Sequence, residues 1–179
     1  MKKLTTKQIA TAGLLLAVCI VSQVFKNLSV FITGPIVNAC LILVTVVSGL
    51  IPGIILSIIA PVTAFFITGN PVMAAIPALM PMIMVGNVVL VVFVYFFGVK
   101  TNLRFCLGMG IGSVVKALVM GLTISLWLLP AFLPEKMAPK LATLQMNFSL
   151  VQLVTALIGS VIAFLVWIPL KKIMQTEGI

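Results

Sequence analysis

Long apolar runs broken by short polar punctuation dominate this chain. Six segments stand out, at about 7–25, 35–48, 52–67, 72–97, 105–129 and 148–172. Four match the roughly 20 residues that a bilayer-crossing helix needs, and the second and third are shorter. The runs do not alternate polar and apolar positions, as the strands of a membrane barrel would. The pattern therefore predicts an all-α integral membrane protein. It would be a compact six-transmembrane-helix bundle, with residues 1–179 forming a single transmembrane domain. Pro52 suits a helix first turn, and Gly49 and Gly98 suit helix ends. The punctuation "FITGP" (31–35) and "FITGNP" (66–71) places Gly/Pro breaks at membrane depth. Irregular backbone survives there only under cover of protein or beside a wet cavity. Simple turns between short tilted helices are the other reading.

Composition agrees with that pattern. The chain is 63% hydrophobic and 7% charged, too few polar groups to clothe a soluble domain. Its net charge of +9 sits mostly at the ends of apolar segments, with no basic patch interleaved with aromatic residues. The charge thus points to the lipid bilayer and not to nucleic acid. Seven basic residues (Lys2, Lys3, Lys7, Lys100, Arg104, Lys171, Lys172) fall on the side of the termini, against Lys26, Lys136 and Lys140 opposite. That bias predicts cytoplasmic N- and C-termini. The first segment follows lysines as a secretory signal would. With Val18 before Cys19 and five more apolar segments downstream, it reads as the first span. The longest connection, 130–147, then caps the outer face.

The acidic inventory excludes most chemistry. There is no Asp or His, and Glu135 and Glu177 both lie outside the spans. Paired carboxylates, a catalytic metal set, a Ser–His–Asp arrangement and a phosphate-binding loop are all missing. The chain is read as no enzyme, with no cofactor and no metal. Cys19, Cys40 and Cys106 lack metal or disulfide spacing and serve as small apolar fillers. With nothing embedded to protonate, the chain looks like a binding unit energised by another subunit.

One ammonium stands out. Lys116 lies about 16 Å from the inner end of the fifth segment, too deep for its stem to reach the interface. At mid-membrane it costs about 2.5–3.5 kcal/mol. Water, backbone carbonyls or an anionic ligand are the candidates to offset this. At 100° per residue, Lys116, Thr123 and Trp127 fall within about 40° of each other, with Gly112, Ser113 and Met120 beside them. This stripe is a cavity wall, a helix–helix seam through Gly108 and Gly112, or both in succession. Asn87, about 20 Å below the outer end of the fourth segment, lies at the depth of Lys116. Met80 and Met84 share its face, and Pro77 and Pro81 bend that helix above it. In the sixth segment Gln152, Thr155 and Gly159 form one stripe, with Asn147 and Gln145 at its mouth. Asn38 and Thr45 share a face of the second. The expected substrate site is an outer-half pocket walled by segments four to six, using Lys116, Asn87, Thr123, Trp127, Met84, Asn147 and Gln152. Tyr95 and Trp167 read as interface anchors. In the first segment Ala10, Gly13 and Ala17 make a small-residue face that another helix can approach closely.

Length, segment count, the basic N-terminus opening into a small-residue helix, "ITGPIVNACLIL" and "PALMPMIMVGNVVLVVFVYF" carry a resemblance across nearly the whole chain. It resembles the substrate-binding S component of an energy-coupling factor (ECF) vitamin transporter. The resemblance implies a multi-pass protein of the bacterial cell membrane that binds one small vitamin-like molecule. It implies docking through helix 1 on a transmembrane coupling protein that carries two cytoplasmic ATPase subunits. The family's alanine-spaced docking pattern reads here as Gly13-x-x-x-Ala17, with Ala10 a turn earlier. The family's gating loop falls on 26–33. Lys116 would pair with an acidic group, and a pantothenate-like carboxylate fits. A self-sufficient small carrier or channel and a non-transporting membrane scaffold are the alternatives.

Overall fold

The computed structural model describes residues 6–25 and 29–176. Lys2, Lys3, Lys26 and Glu177, which enter the charge count, lie outside the described residues, as do residues 26–28 of the expected gate. Among the described residues every regular element is helical. Six long helices, α1 (Thr6–Val24), α2 (Val30–Ser48), α3 (Leu50–Thr68), α5 (Leu79–Phe97), α6 (Asn102–Met120) and α9 (Leu150–Thr176), are joined by shorter pieces. Those pieces are α4 (Pro71–Ala75), a π-helical stretch Gly121–Leu128 continuing α6, α7 (Leu129–Phe132), a 3-10 turn Glu135–Lys140 and α8 (Leu141–Phe148). By length and composition, five helical stretches suffice to cross a membrane: Val30–Ser48, Leu50–Thr68, Leu79–Phe97, Asn102–Phe132 and Glu135–Ile173. Gln8–Val24 is a shorter apolar helix.

Local chemistry explains where the boundaries depart from the punctuation. Ser29 caps α2 by accepting from the Phe31 N–H at 3.1 Å. The helix therefore starts before Pro35 and runs through it, and "FITGP" is helical instead of a break. The second break is real. Gly69 ends α3 in the left-handed conformation, and Asn70 caps α4 by accepting from Val72 and Met73. The fourth segment is divided around Pro77 into α4 and α5, because a proline there cannot continue the hydrogen-bond ladder. Gly49 alone joins α2 to α3, at a φ of 98° that a side chain would resist.

Helix α2 is the axis of the packing. Its Ala39, Ile42 and Leu43 pack with Leu90, Val94, Phe105, Met109, Ala163 and Trp167 from α5, α6 and α9. Its Cys40, Leu41 and Val44 pack with Cys19, Leu56, Ala60 and Val91 from α1, α3 and α5. Trp167 is thus a core residue, edge-on to Phe105 at 6.2 Å, and not the interface anchor expected. Tyr95 is half exposed. A third cluster ties α4 and the start of α5 to the π-helical stretch and, through Leu133, Leu141 and Phe148, to the connection that follows it. Much of that connection is helical.

Glycines set the closest approaches. A Cβ on Gly159 would lie 2.7 Å from Pro35 O and 2.7 Å from Asn38 Cβ, and one on Gly34 would lie 2.9 Å from Thr155. So the Gln152–Thr155–Gly159 stripe of α9 is pressed against α2. On α6, Gly108 and Gly112 meet Phe97 and Phe93 of α5 in the same way.

Candidate functional site

Residues near the ends of α1, α3 and α6 and in the first halves of α2, α5 and α9 come together in one region of the bundle. A cavity of about 110 Å³ opens between them. Its polar wall is Gln23, Thr33, Asn38, Asn87, Lys116 and Gln152, one or two from each long helix except α3. Ala60, Pro61 and Ala64 of α3, with Val30, Val37, Met73 and Ile83, supply apolar wall. No aromatic side chain lines it.

Lys116 is 2% exposed. Its Nζ donates to Asn38 Oδ1 at 2.6 Å and to Asn87 Oδ1 at 2.8 Å, joining α6 to α2 and α5. Lysine has no acceptor lone pair at Nζ, so the amide atoms facing it are oxygens. The amide nitrogens turn outward: Asn38 Nδ2 donates to Gly34 O at 2.9 Å, and Asn87 Nδ2 reaches Ser57 O at 3.5 Å. Glu135 is the carboxylate side chain among the described residues, and it is exposed on the 3-10 turn. The ammonium is therefore solvated by neutral amides inside its own chain, a solution absent from the candidates considered above.

The rest of the polar wall is anchored. Gln23 donates to Ala60 O at 2.9 Å and accepts from Thr63 Oγ1 at 2.8 Å, pinning the end of α1 to α3. Thr33 donates to Ser22 O at 3.1 Å. Gln152 Nε2 donates to Asn147 O at 3.4 Å, which links the cavity wall to the end of α8.

Of the substrate-site residues expected from sequence, Lys116, Asn87 and Gln152 line this cavity, and Thr123, Trp127, Met84 and Asn147 do not. Trp127 is 61% exposed, and the Thr123 hydroxyl bonds back to Val119 O at 2.7 Å. The cause is the π-helical winding from Gly121 to Leu128. Its wider turns rotate later residues out of the α-helical register that had aligned them with Lys116. Met84 is half-buried beside the wall residue Ile83, and Asn147 is linked to the wall through its carbonyl, which accepts from Gln152 Nε2. Asn38 lines the cavity beside Lys116, whereas sequence reasoning had paired it with Thr45. Gln23 was missed, and Thr33 entered only as the last residue of the expected gate, not as a wall residue. The available signal was their polarity in apolar helices, which by default marks function in a membrane. On α1, Ala10, Gly13 and Ala17 are exposed on the outside of the bundle, and nothing lies within 4 Å of where a Gly13 Cβ would be.

The arrangement is that of a multi-pass helical membrane protein with one cation on the wall of a polar cavity between its helices. The chain belongs to the family of substrate-specific components of ECF transporters, whose sequence model matches residues 7–171. No curated protein and no solved structure matches it. Family membership makes it a substrate-binding membrane subunit of an ECF importer, a transport subunit.

Proposed function

We propose that the chain captures a small, singly charged anion of vitamin-like character for import, with Lys116 as the charge that recognises it. One observation carries the reading: a buried ammonium on the wall of a cavity, bonded to two neutral amides and to no carboxylate. Two of its three N–H donors have those partners, which leaves one for a ligand. At about 10–15 Å³ per water-sized position, the cavity has room for on the order of ten such positions. A compact aliphatic molecule suits that space, and the lack of aromatic walls disfavours a stacked flavin. A pantothenate-like carboxylate remains a good candidate.

The rest of the proposal follows the charge bias and the family. Six helices span the membrane with both termini cytoplasmic, so the cavity opens in the outer half. The face of Ala10, Gly13 and Ala17 docks on a transmembrane coupling protein bearing two ATPase subunits. The test is calorimetric titration of the purified chain with pantothenate and other small carboxylates, beside Lys116→Met. Micromolar or tighter binding is expected, weakened about 10- to 100-fold by the substitution, the range of one charge-assisted hydrogen bond. Equal affinity of the two proteins would remove Lys116 from recognition. Uptake by the chain alone in liposomes would favour a self-sufficient carrier.

A further inference from the structure

The two asparagines at Lys116 have a feature that packing alone does not require. Aspartate has nearly the same shape as asparagine, and it would give a buried lysine a counter-ion. The chain instead has Asn at both positions and no Asp anywhere. Amide oxygens at 2.6 and 2.8 Å solvate the ammonium without cancelling its charge. Each amide is also fixed in direction. A nitrogen committed to Gly34 O or aimed at Ser57 O leaves the oxygen facing Nζ. Asn38 is further held by α9, since the Gly159 backbone sits against its Cβ.

We propose that Asn38 and Asn87 set the charge specificity of this cavity. The inference rests on the reading of the cavity as the ligand site. The pair holds the Lys116 ammonium in place while leaving the cavity one net positive charge, and so selects a monoanion over an uncharged molecule of the same shape. A dianion would bring a second negative charge for which the wall has no cation.

The geometry chooses the variant. An aspartate at 38 would set a carboxylate oxygen against Gly34 O, where the amide contact is now 2.9 Å. At 87 the corresponding contact is 3.5 Å and yields more easily. Asn87→Asp therefore gives Lys116 an internal counter-ion with little change of shape. Asn87→Ser removes the long amide and adds no charge.

The experiment measures half-saturating concentrations from the thermal unfolding midpoint of the purified chain. The probes are lactate, glycerate, pantoate and pantothenate, each beside its uncharged amide or alcohol. The wild-type protein should favour at least one carboxylate over its neutral counterpart by about tenfold or more. Asn87→Asp should erase that preference by weakening the carboxylate, with the neutral probe changed less than about threefold. Asn87→Ser should weaken binding yet keep the preference. A wild-type protein indifferent to probe charge would overturn both this proposal and the anion reading beneath it. A wild-type preference that survives in Asn87→Asp would overturn this proposal alone. Should that variant not fold, Asn38→Asp reports the same ratio with the same two outcomes.

Discussion

Gly159→Ala is a one-carbon change whose effect can be worked from the backbone. The added Cβ would lie 2.7 Å from Pro35 O, 2.7 Å from Asn38 Cβ and 3.1 Å from Ala39 N. Two of these three atoms belong to the main chain of α2, so no side chain can swing away to make room. Either α9 backs off or α2 bends, and both options open a closely packed seam of the bundle. Overpacking of this kind costs about 1–3 kcal/mol. For a chain of this size, that lowers an unfolding midpoint by about 2–12 °C. The same carbon at Gly13 or Gly110 meets nothing within 4 Å, and both positions are helical. There alanine should be neutral or slightly stabilising, by up to about 1 kcal/mol. Three single variants, unfolded in the same detergent and followed by the fluorescence of core Trp167, make the comparison internal. Gly159→Ala should also weaken ligand binding, because Asn38 is one of the atoms displaced and it holds Lys116. If Gly159→Ala unfolds within a degree of Gly13→Ala, the close approach of α2 and α9 is wrong, and with it the anchoring of Asn38.

Two further predictions concern other parts of the molecule. Ser125 Oγ donates to Gln145 O and Gln145 Nε2 donates to Ser125 O, each at 2.8 Å, clamping α8 to the π-helical stretch. Gln145→Ala should lower stability by about 1–2 kcal/mol and speed proteolysis within 130–149; unchanged cleavage would show that the apolar cluster alone holds that connection down. Orientation is tested by single cysteines in a cysteine-free background: a membrane-impermeant thiol reagent applied to intact cells should label Lys136→Cys and spare Lys100→Cys, and the reverse pattern would invert the bundle.

How far the sequence could be read depended on whether the relevant physics was local. Helix existence was local. Apolar runs of the right length announced α1, α5, α6 and α9, and the Gly108–Gly112 spacing announced a seam that α5 fills. The depth match of Asn87 and Lys116 followed from rise per residue alone, and their side chains meet at 2.8 Å. Three things resisted. The cap from Ser29 outweighs the proline of "FITGP", so the start of α2 could not be judged from Gly and Pro alone. The π-helical winding after Met120 broke the 100° rule on which Thr123 and Trp127 were placed, and no local residue signals such winding. The contribution of α2 was hidden for a topological reason. Asn38 reaches Lys116 across 78 residues of chain, because α2 sits at the centre of the bundle and touches nearly every other long helix.

The amide pair also changes what Lys116 says about the empty protein. From sequence, an ammonium at mid-membrane costing about 2.5–3.5 kcal/mol had water, backbone carbonyls or an anionic ligand to offset it. Two hydrogen bonds from a charged donor, each contributing about 1.5–3 kcal/mol, cover that cost internally. The lysine is thus tolerable without cargo, and a subunit that waits for a scarce molecule must be stable in that state. Solvation and neutralisation are separate matters, however. The amides accomplish the first and leave the second undone, so an arriving anion does not have to displace a resident carboxylate from the ammonium. On the proposal that the ligand is an anion, its negative charge would meet a cation already desolvated and already aimed. A ligand of that kind would spend little of its binding energy on rebuilding the site, so the proposal expects tight binding from a cavity of about 110 Å³ with a single charged side chain on its wall.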